Sequence, residues 1–237
     1  LAVGGFKGLR SLLSLVLSFF VIMDFIIPKI LAGSDPVLIT VAGSFFILIF
    51  IIYLTEGFNR LAHISVLSIF LSLLTTVLLS WFFVDITKLS GLATEDASFL
   101  IGLGNGDISF QGLLMAGIII GALGVLDDVV ISQVAAVSEL YITDSTLSRW
   151  DLFSRAYKVG VSHISSMTNT LFLAYAGASI TLLILFSSGQ SGFSSWGQAV
   201  NNEMIATEIV RTLAGSIGLI LAVPISTYLA VWAIKRK

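Results

Sequence analysis

Cysteine is absent from the 237 residues, which excludes disulfide cross-links, thiolate metal sites and a cysteine nucleophile, and leaves the redox compartment open. Histidine is nearly absent: His63 and His163 stand far apart in the chain, so no histidine-pair metal spacing exists. No metal and no cofactor is expected. Charge is scarce and balanced, with 11% charged residues, 12 basic against 14 acidic, for a net charge of -2. Such a chain has no basic field suited to nucleic acid. No nucleophile, base and orienting group can be assembled from these residues, so an enzyme is not expected either. A secretory signal pattern is also missing.

What is abundant is apolar surface. Hydrophobic residues make up 57% of the sequence and the mean hydropathy is +1.03, the composition of a membrane protein whose first partner is the lipid bilayer. Six apolar segments reach or approach the roughly 20 residues that cross a hydrocarbon core. They lie near residues 11–31, 37–54, 61–84, 110–138, 160–187 and 206–234. The expected fold is therefore all-α, a polytopic membrane bundle of about six transmembrane helices in one domain over residues 1–237. Lys7, Arg10, Arg60, Arg149, Arg155, Lys158, Lys235, Arg236 and Lys237 fall on one side of this arrangement and Lys29 and Lys88 on the other, nine against two. Because basic loops stay inside, both ends are expected in the cytoplasm. The longer loops read as connectors: GLGNGD at 102–107 as a surface turn, 141–159 as a solvated link, and the Ser- and Gly-rich stretch 187–202 as a flexible one.

The main functional clue is the run 117–139, where Asp127 and Asp128 stand side by side inside a spanning-length apolar segment. At helical period, Gly117, Gly121, Gly124, Asp128, Ser132, Ala135 and Glu139 form one stripe of small and polar residues, with Asp127 on an apolar flank. A stripe without bulk invites close approach of another helix, and an acid on it is expected to face protein or a water-filled crevice. The fifth segment carries SHISSMTNT, in which Ser162, Ser166 and Asn169 share a face. Asn169 and Asp128 both fall roughly 14 to 15 Å from the cytoplasmic ends of their helices, so Asn169 is expected to donate to the Asp128 carboxylate. The sixth segment repeats the small-residue design with Gly215 and Gly218. Glycine-on-glycine packing of the fourth and sixth segments is expected from it. Glu208 and Arg211 read as a local ion pair, Pro224 as a kink or hinge, and Asp24 as an acid near the outer end of the first segment.

The pieces GALGVLDDVVIS, SSMTNTLFLAYAGAS and EIVRTLAGSIGLILAVPIS, with the opening GGFKGLRSLLSLVLSF, resemble the YibE/F family of prokaryotic multi-pass membrane proteins. The corresponding family segments read approximately GALGAxMDVAMSI and GTMTNTLILAYxGSS, so the resemblance puts the family acid on Asp128 and gives Asp127 an apolar counterpart. Thr168, Asn169 and Thr170 match the family's TNT. The resemblance implies the prokaryotic cytoplasmic membrane, and a further upstream helix, in some members followed by an extracytoplasmic domain, that this sequence does not contain. It names no reaction. A looser pattern, an acid after a Gly-rich approach, Glu139 past the helix end and a Ser- and Thr-rich next helix, is similar to the membrane half of SecD, SecF and resistance-nodulation-division transporters. There such an acid takes part in proton coupling.

The resulting expectation is an ion-coupled transporter or permease with a pathway through Asp128, Asn169, Thr168, Ser132, Glu139 and Asp127, between the fourth, fifth and sixth segments. A proton or monovalent cation would be the coupling ion. Gly117, Gly121, Gly124, Gly215 and Gly218 are assigned to helix packing. The alternative is a non-transporting scaffold or an assembly or export accessory protein, as a homo-oligomer or paired with a homologous membrane subunit.

Overall fold

The computed structural model describes residues 5–93, 95–102, 108–188 and 196–235. Among them the chain is helical throughout, with no strand: α1 (Gly5–Phe20), a π-helical turn (Val21–Ile26), α2 (Ile27–Leu31), α3 (Pro36–Thr55), α4 (Arg60–Thr87), α5 (Glu95–Gly102), α6 (Phe110–Thr143), α7 (Arg149–Ala178), α8 (Ile180–Ser187), α9 (Trp196–Val200) and α10 (Glu203–Ile234). Among the described residues, five stretches are long and apolar enough to cross a membrane: Gly8–Leu31, Pro36–Thr55, Arg60–Thr87, Phe110–Thr143 and Glu203–Ile234. This is a multi-pass membrane protein.

Local chemistry sets the helix boundaries. Each of the long helices after the first begins at a side chain that accepts from its first turn: Asp35 from Leu38 N at 2.8 Å, Asn59 from Ala62 N at 2.8 Å, Ser109 from Gly112 N at 3.1 Å, Ser148 from Asp151 N at 3.0 Å and Asn202 from Met204 N at 3.0 Å. These caps satisfy donors that the helix itself leaves orphaned. The first spanning segment is irregular because Pro28 has no amide hydrogen to give the Asp24 carbonyl, and the turn just before it is π-helical. Asp24 lies on that turn and is exposed. Pro224, in contrast, sits inside α10 without interrupting it.

Three helices make the centre. α4, α6 and α10 pack on one another, α7 lies against α6 and α10, and α3 lies against both α6 and α1. A stripe of hydroxyls on α4, Ser65, Ser68, Ser72, Thr76 and Ser80, is fully or almost fully buried. Ser72, Thr76 and Ser80 donate to carbonyls four residues back, at 2.8, 3.0 and 2.7 Å, so their polarity is absorbed by the helix that carries them. Buried Gln133 of α6 joins the α7 and α10 sides: its amide donates to the Ala156 carbonyl at 2.8 Å and to Thr227 Oγ1 at 2.7 Å.

Ties at the two ends fix which end is which. At one end Arg60 reaches the Ala233 carbonyl, Lys235 the Leu147 carbonyl and Arg149 the Lys235 carbonyl, and the Arg149 guanidinium stacks over Trp232 at 4.3 Å. Basic groups there meet the carbonyl end of α10, the favourable end of its dipole for a cation. We call this the basic end. At the far end the Glu203 carboxylate accepts from Ser90 N, Ser90 Oγ and Gly91 N at 2.6 to 2.9 Å. Gly91 has φ +77°, and a β-carbon there would run into the Phe110 carbonyl, so this turn requires glycine.

Three expectations are corrected. The segment expected as one helix over 160–187 starts earlier, at Arg149, and breaks at Ser179 into α7 and α8. α7 is too polar to count among the apolar spanning helices. The connector expected over 141–159 shrinks to 144–148, because Ser148 caps a helix as soon as the chain turns. The third correction concerns packing: Gly117 and Gly124 would each meet nothing within 4 Å if given a β-carbon, so they bring no helix close. α6 turns its aliphatic residues inward and leaves that stripe outside. Gly218 does pack tightly, but on Thr76 of α4, and Gly215 and Gly121 pack on the tip of Tyr175. The expected turn at 103–107 and the stretch 189–195 lie outside the described residues.

Candidate functional site: a crevice holding two carboxylates

A crevice of about 560 Å³ lies between α1, α3 and α6. Each wall follows from a helical repeat. From α1 come Ser11, Ser14 and Ser18, three and four residues apart and so on one face. From α3 come Ile47, Ile51, Thr55 and Glu56, and from α6 Ile120, Leu123, Gly124, Asp127, Asp128 and Ile131. α1 touches the bundle chiefly through α3, which leaves a gap between α1 and α6 that no bulky residue fills. Gly124 keeps the α6 wall open.

The two acids differ in setting. Asp127 is half-buried and its Oδ1 accepts the Asp128 amide at 2.9 Å, while Asp128 is exposed to the crevice. The serine hydroxyls opposite are turned along their own helix, Ser14 donating to the Ser11 carbonyl and Ser18 to the Ser14 carbonyl, both at 2.8 Å. A hydroxyl that donates to its own backbone still offers oxygen lone pairs to a cation or water. Thr55 does the same, donating to the Ile51 carbonyl at 2.7 Å. Exposed Glu56 marks the mouth, at the end of α3 that belongs to the basic end of the bundle. A space this size holds many waters, each needing only about 10 to 15 Å³ of such volume. A carboxylate pair thus stands on the wall of an open space while set within an apolar helix.

The other residues expected in the pathway are not brought here. Ser132 and Glu139 are exposed on α6 beyond the crevice wall. Thr168 Oγ1 is buried without a partner among the described residues, and Asn169 is exposed on α7. No hydrogen bond joins Asn169 to Asp128 among the described residues, so the expected contact between them is not made. The site therefore lies on the α1 and α3 side of α6, and no residue of the fifth or sixth segment lines it. Ser11, Ser14, Ser18, Thr55 and Glu56 were missed by sequence reasoning. The signal was present in SLLSLVLS, whose serines recur at helical spacing inside an apolar run.

A second polar cluster lies between α7 and α10. Arg211 Nη1 donates to Glu208 Oε1 at 2.9 Å, the local pair read from their spacing. The Tyr175 hydroxyl is close enough to this pair to feel the charge of both groups, without a hydrogen bond to either.

A family model described as YibE/F-like protein matches residues 1–236. No curated protein and no solved structure matches the chain, and nothing found in these comparisons shows the likeness to SecD, SecF or resistance-nodulation-division transporters.

Proposed function

The chain belongs to the YibE/F-like family, and with that membership and the five apolar helices as premise, we propose that it is an ion-coupled transporter or permease of the prokaryotic cytoplasmic membrane. One observation carries the reading. Asp127 and Asp128 stand on the wall of a crevice of about 560 Å³ whose mouth holds Glu56 at the basic end. A carboxylate at membrane depth costs several kcal/mol unless protein or water meets it, and a helix that served only to pack would have no use for two of them facing an open space. In this reading Asp128 takes up the proton or monovalent cation. Asp127 accepts the Asp128 amide and fixes the local backbone.

The topology proposed with it is six crossings with both ends cytoplasmic. α7 begins beside the basic end and α10 begins at the far end, so the chain between them travels the length of the bundle, and the basic end is the one that the bias of lysine and arginine assigns to the cytoplasm.

The test is ion flux in liposomes, measured beside thermal stability. Asp128→Asn keeps shape and hydrogen bonding while removing the titrating group, and is expected to fold and to lose proton- or Na⁺-dependent flux; Asp127→Asn, which retains an acceptor for the Asp128 amide, is expected to be milder. Full flux in Asp128→Asn would refute the coupling role.

A second reading has its own observation. Ser165, Ser166, Asn169 and Thr170 of α7 are exposed, and polar groups at membrane depth are normally covered by protein. A scaffold or accessory subunit that presents α7 to a second copy or a homologous membrane subunit fits that face. An Asp128→Asn protein that loses stability, with a parent that shows no flux, would favour this reading.

A further inference from the structure

Three buried polar atoms, Tyr175 Oη, Glu208 Oε2 and Arg211 Nε, have no hydrogen-bond partner among the described residues. Leaving such a group unpaired forfeits its hydration with nothing in return. Three of them in one neighbourhood, on two helices, are groups of the kind that buried water pairs with. Water has a way in. The Arg211 side chain lines a cavity of about 220 Å³ with Asp96, Thr207, Leu113 and Leu114, next to Gly91 at the far end, where Glu203 binds the neighbouring turn.

On its other side the cluster approaches the carboxylate crevice. The Tyr175 side chain is inserted between α6 and α10 at two glycines: a β-carbon at Gly121 would lie 2.8 Å from its hydroxyl, and one at Gly215 would lie 3.7 Å from it. Gly121 shares a helical stripe with Gly124 and Asp128, less than one turn from Gly124, and both of those line the crevice. Along α6 the far-end cavity lies at Leu113 and Leu114, the crevice wall runs from Ile120 to Ile131, and the Tyr175 hydroxyl at Gly121 stands at the edge of that wall nearer the far end. The charged groups acting on the hydroxyl are Arg211 and Glu208 on α10; Asp96 on α5 lines the cavity that Arg211 also lines, Asp127 and Asp128 lie further along α6, and α7 itself adds none beside it.

We propose that Tyr175, Glu208 and Arg211 form a second site, one that holds water at the far end of the bundle, and that the Tyr175 side chain is the barrier between this site and the Asp127–Asp128 crevice. The inference deepens the transport reading, since a coupling ion needs access from both faces but not an open channel.

The chain has no cysteine, so single introduced thiols report cleanly. Gly124→Cys adds a side chain where nothing lies within 4 Å. In oriented liposomes, a membrane-impermeant thiol reagent is expected to modify it from the basic end only while Tyr175 is present. Combined with Tyr175→Ala or Tyr175→Leu, which cannot reach Gly121, modification is expected from both ends. Tyr175→Phe keeps the ring and is expected to stay one-sided. Two-sided modification with Tyr175 or Phe in place would overturn the proposal, as would no modification from either end or a persistent one-sided pattern in Tyr175→Ala and Tyr175→Leu. Thiol access needs no transport, so these outcomes stand apart from the flux result for Asp128→Asn.

Discussion

Gly218→Ala should weaken the bundle, whereas the same change at Gly117 or Gly124 should not. A β-carbon on Gly218 would overlap Thr76 Oγ1 and come within 3.1 Å of Thr76 Cβ and 3.2 Å of Thr76 Cγ2. The threonine cannot step aside freely, because its hydroxyl donates to the Ser72 carbonyl at 3.0 Å and its branched β-carbon restricts the rotamer. Relief must come from separating α4 and α10, the most intimate pair in the fold. Overpacking of this kind costs about 1 to 3 kcal/mol, offset by up to about 1 kcal/mol that alanine gains over glycine in a helix. The expected net loss is about 0.5 to 2 kcal/mol on those two scales. Thr76→Ala removes Oγ1, the overlapping atom, and Cγ2 while keeping Cβ, so the double variant should be more stable than the sum of the single effects, by a coupling of about 0.5 to 3 kcal/mol. Unfolding in a mild detergent measures all three proteins. Equal stability of Gly218→Ala and the parent, or strict additivity in the cycle, would refute the packing argument, and a loss at Gly117→Ala as large as at Gly218→Ala would refute the contrast.

Gln133→Leu should cost about 1 to 2 kcal/mol in the same assay, because two interhelical hydrogen bonds of roughly 0.6 kcal/mol or more each disappear from a buried site; no change would mean the amide is not bridging the α7 and α10 sides. Asp144, in the turn after α6, is held below the usual carboxylate range first by the Thr146 side chain and then by the Thr146 amide. A depressed pKa contributes stability that is present above the ordinary carboxylate value and is lost as pH falls through the lowered one. Thr146→Ala should therefore lessen the acid sensitivity of this turn, read by hydrogen exchange of the 144–148 amides across pH 5 to 2, roughly the span over which a paired carboxylate protonates. An unchanged profile would show that Asp144 is not held by Thr146.

Much of the architecture was legible in the chain because its causes are local. Length and apolarity placed the long helices other than α7 to within about five residues, and Asp35, Asn59, Ser109, Ser148 and Asn202 cap the helices at positions where short polar side chains precede them. The spacing of Glu208 and Arg211 likewise gave their ion pair. Helical period also said correctly which residues share a face, including Gly121, Gly124 and Asp128. It could not say what that face meets. In water an apolar face must turn inward, but in lipid both apolar and small-residue faces can lie outside, so the sign of the stripe on α6 depends on its neighbours. Tertiary packing decided it: the aliphatic faces of α6 went to the centre, Gly218 went to Thr76 and not to α6, and the carboxylates were left facing α1 and α3 instead of Asn169 on α7. The crevice itself is a product of three helices far apart in sequence, and its serine wall on α1 acquires meaning only when α3 holds that helix away from α6.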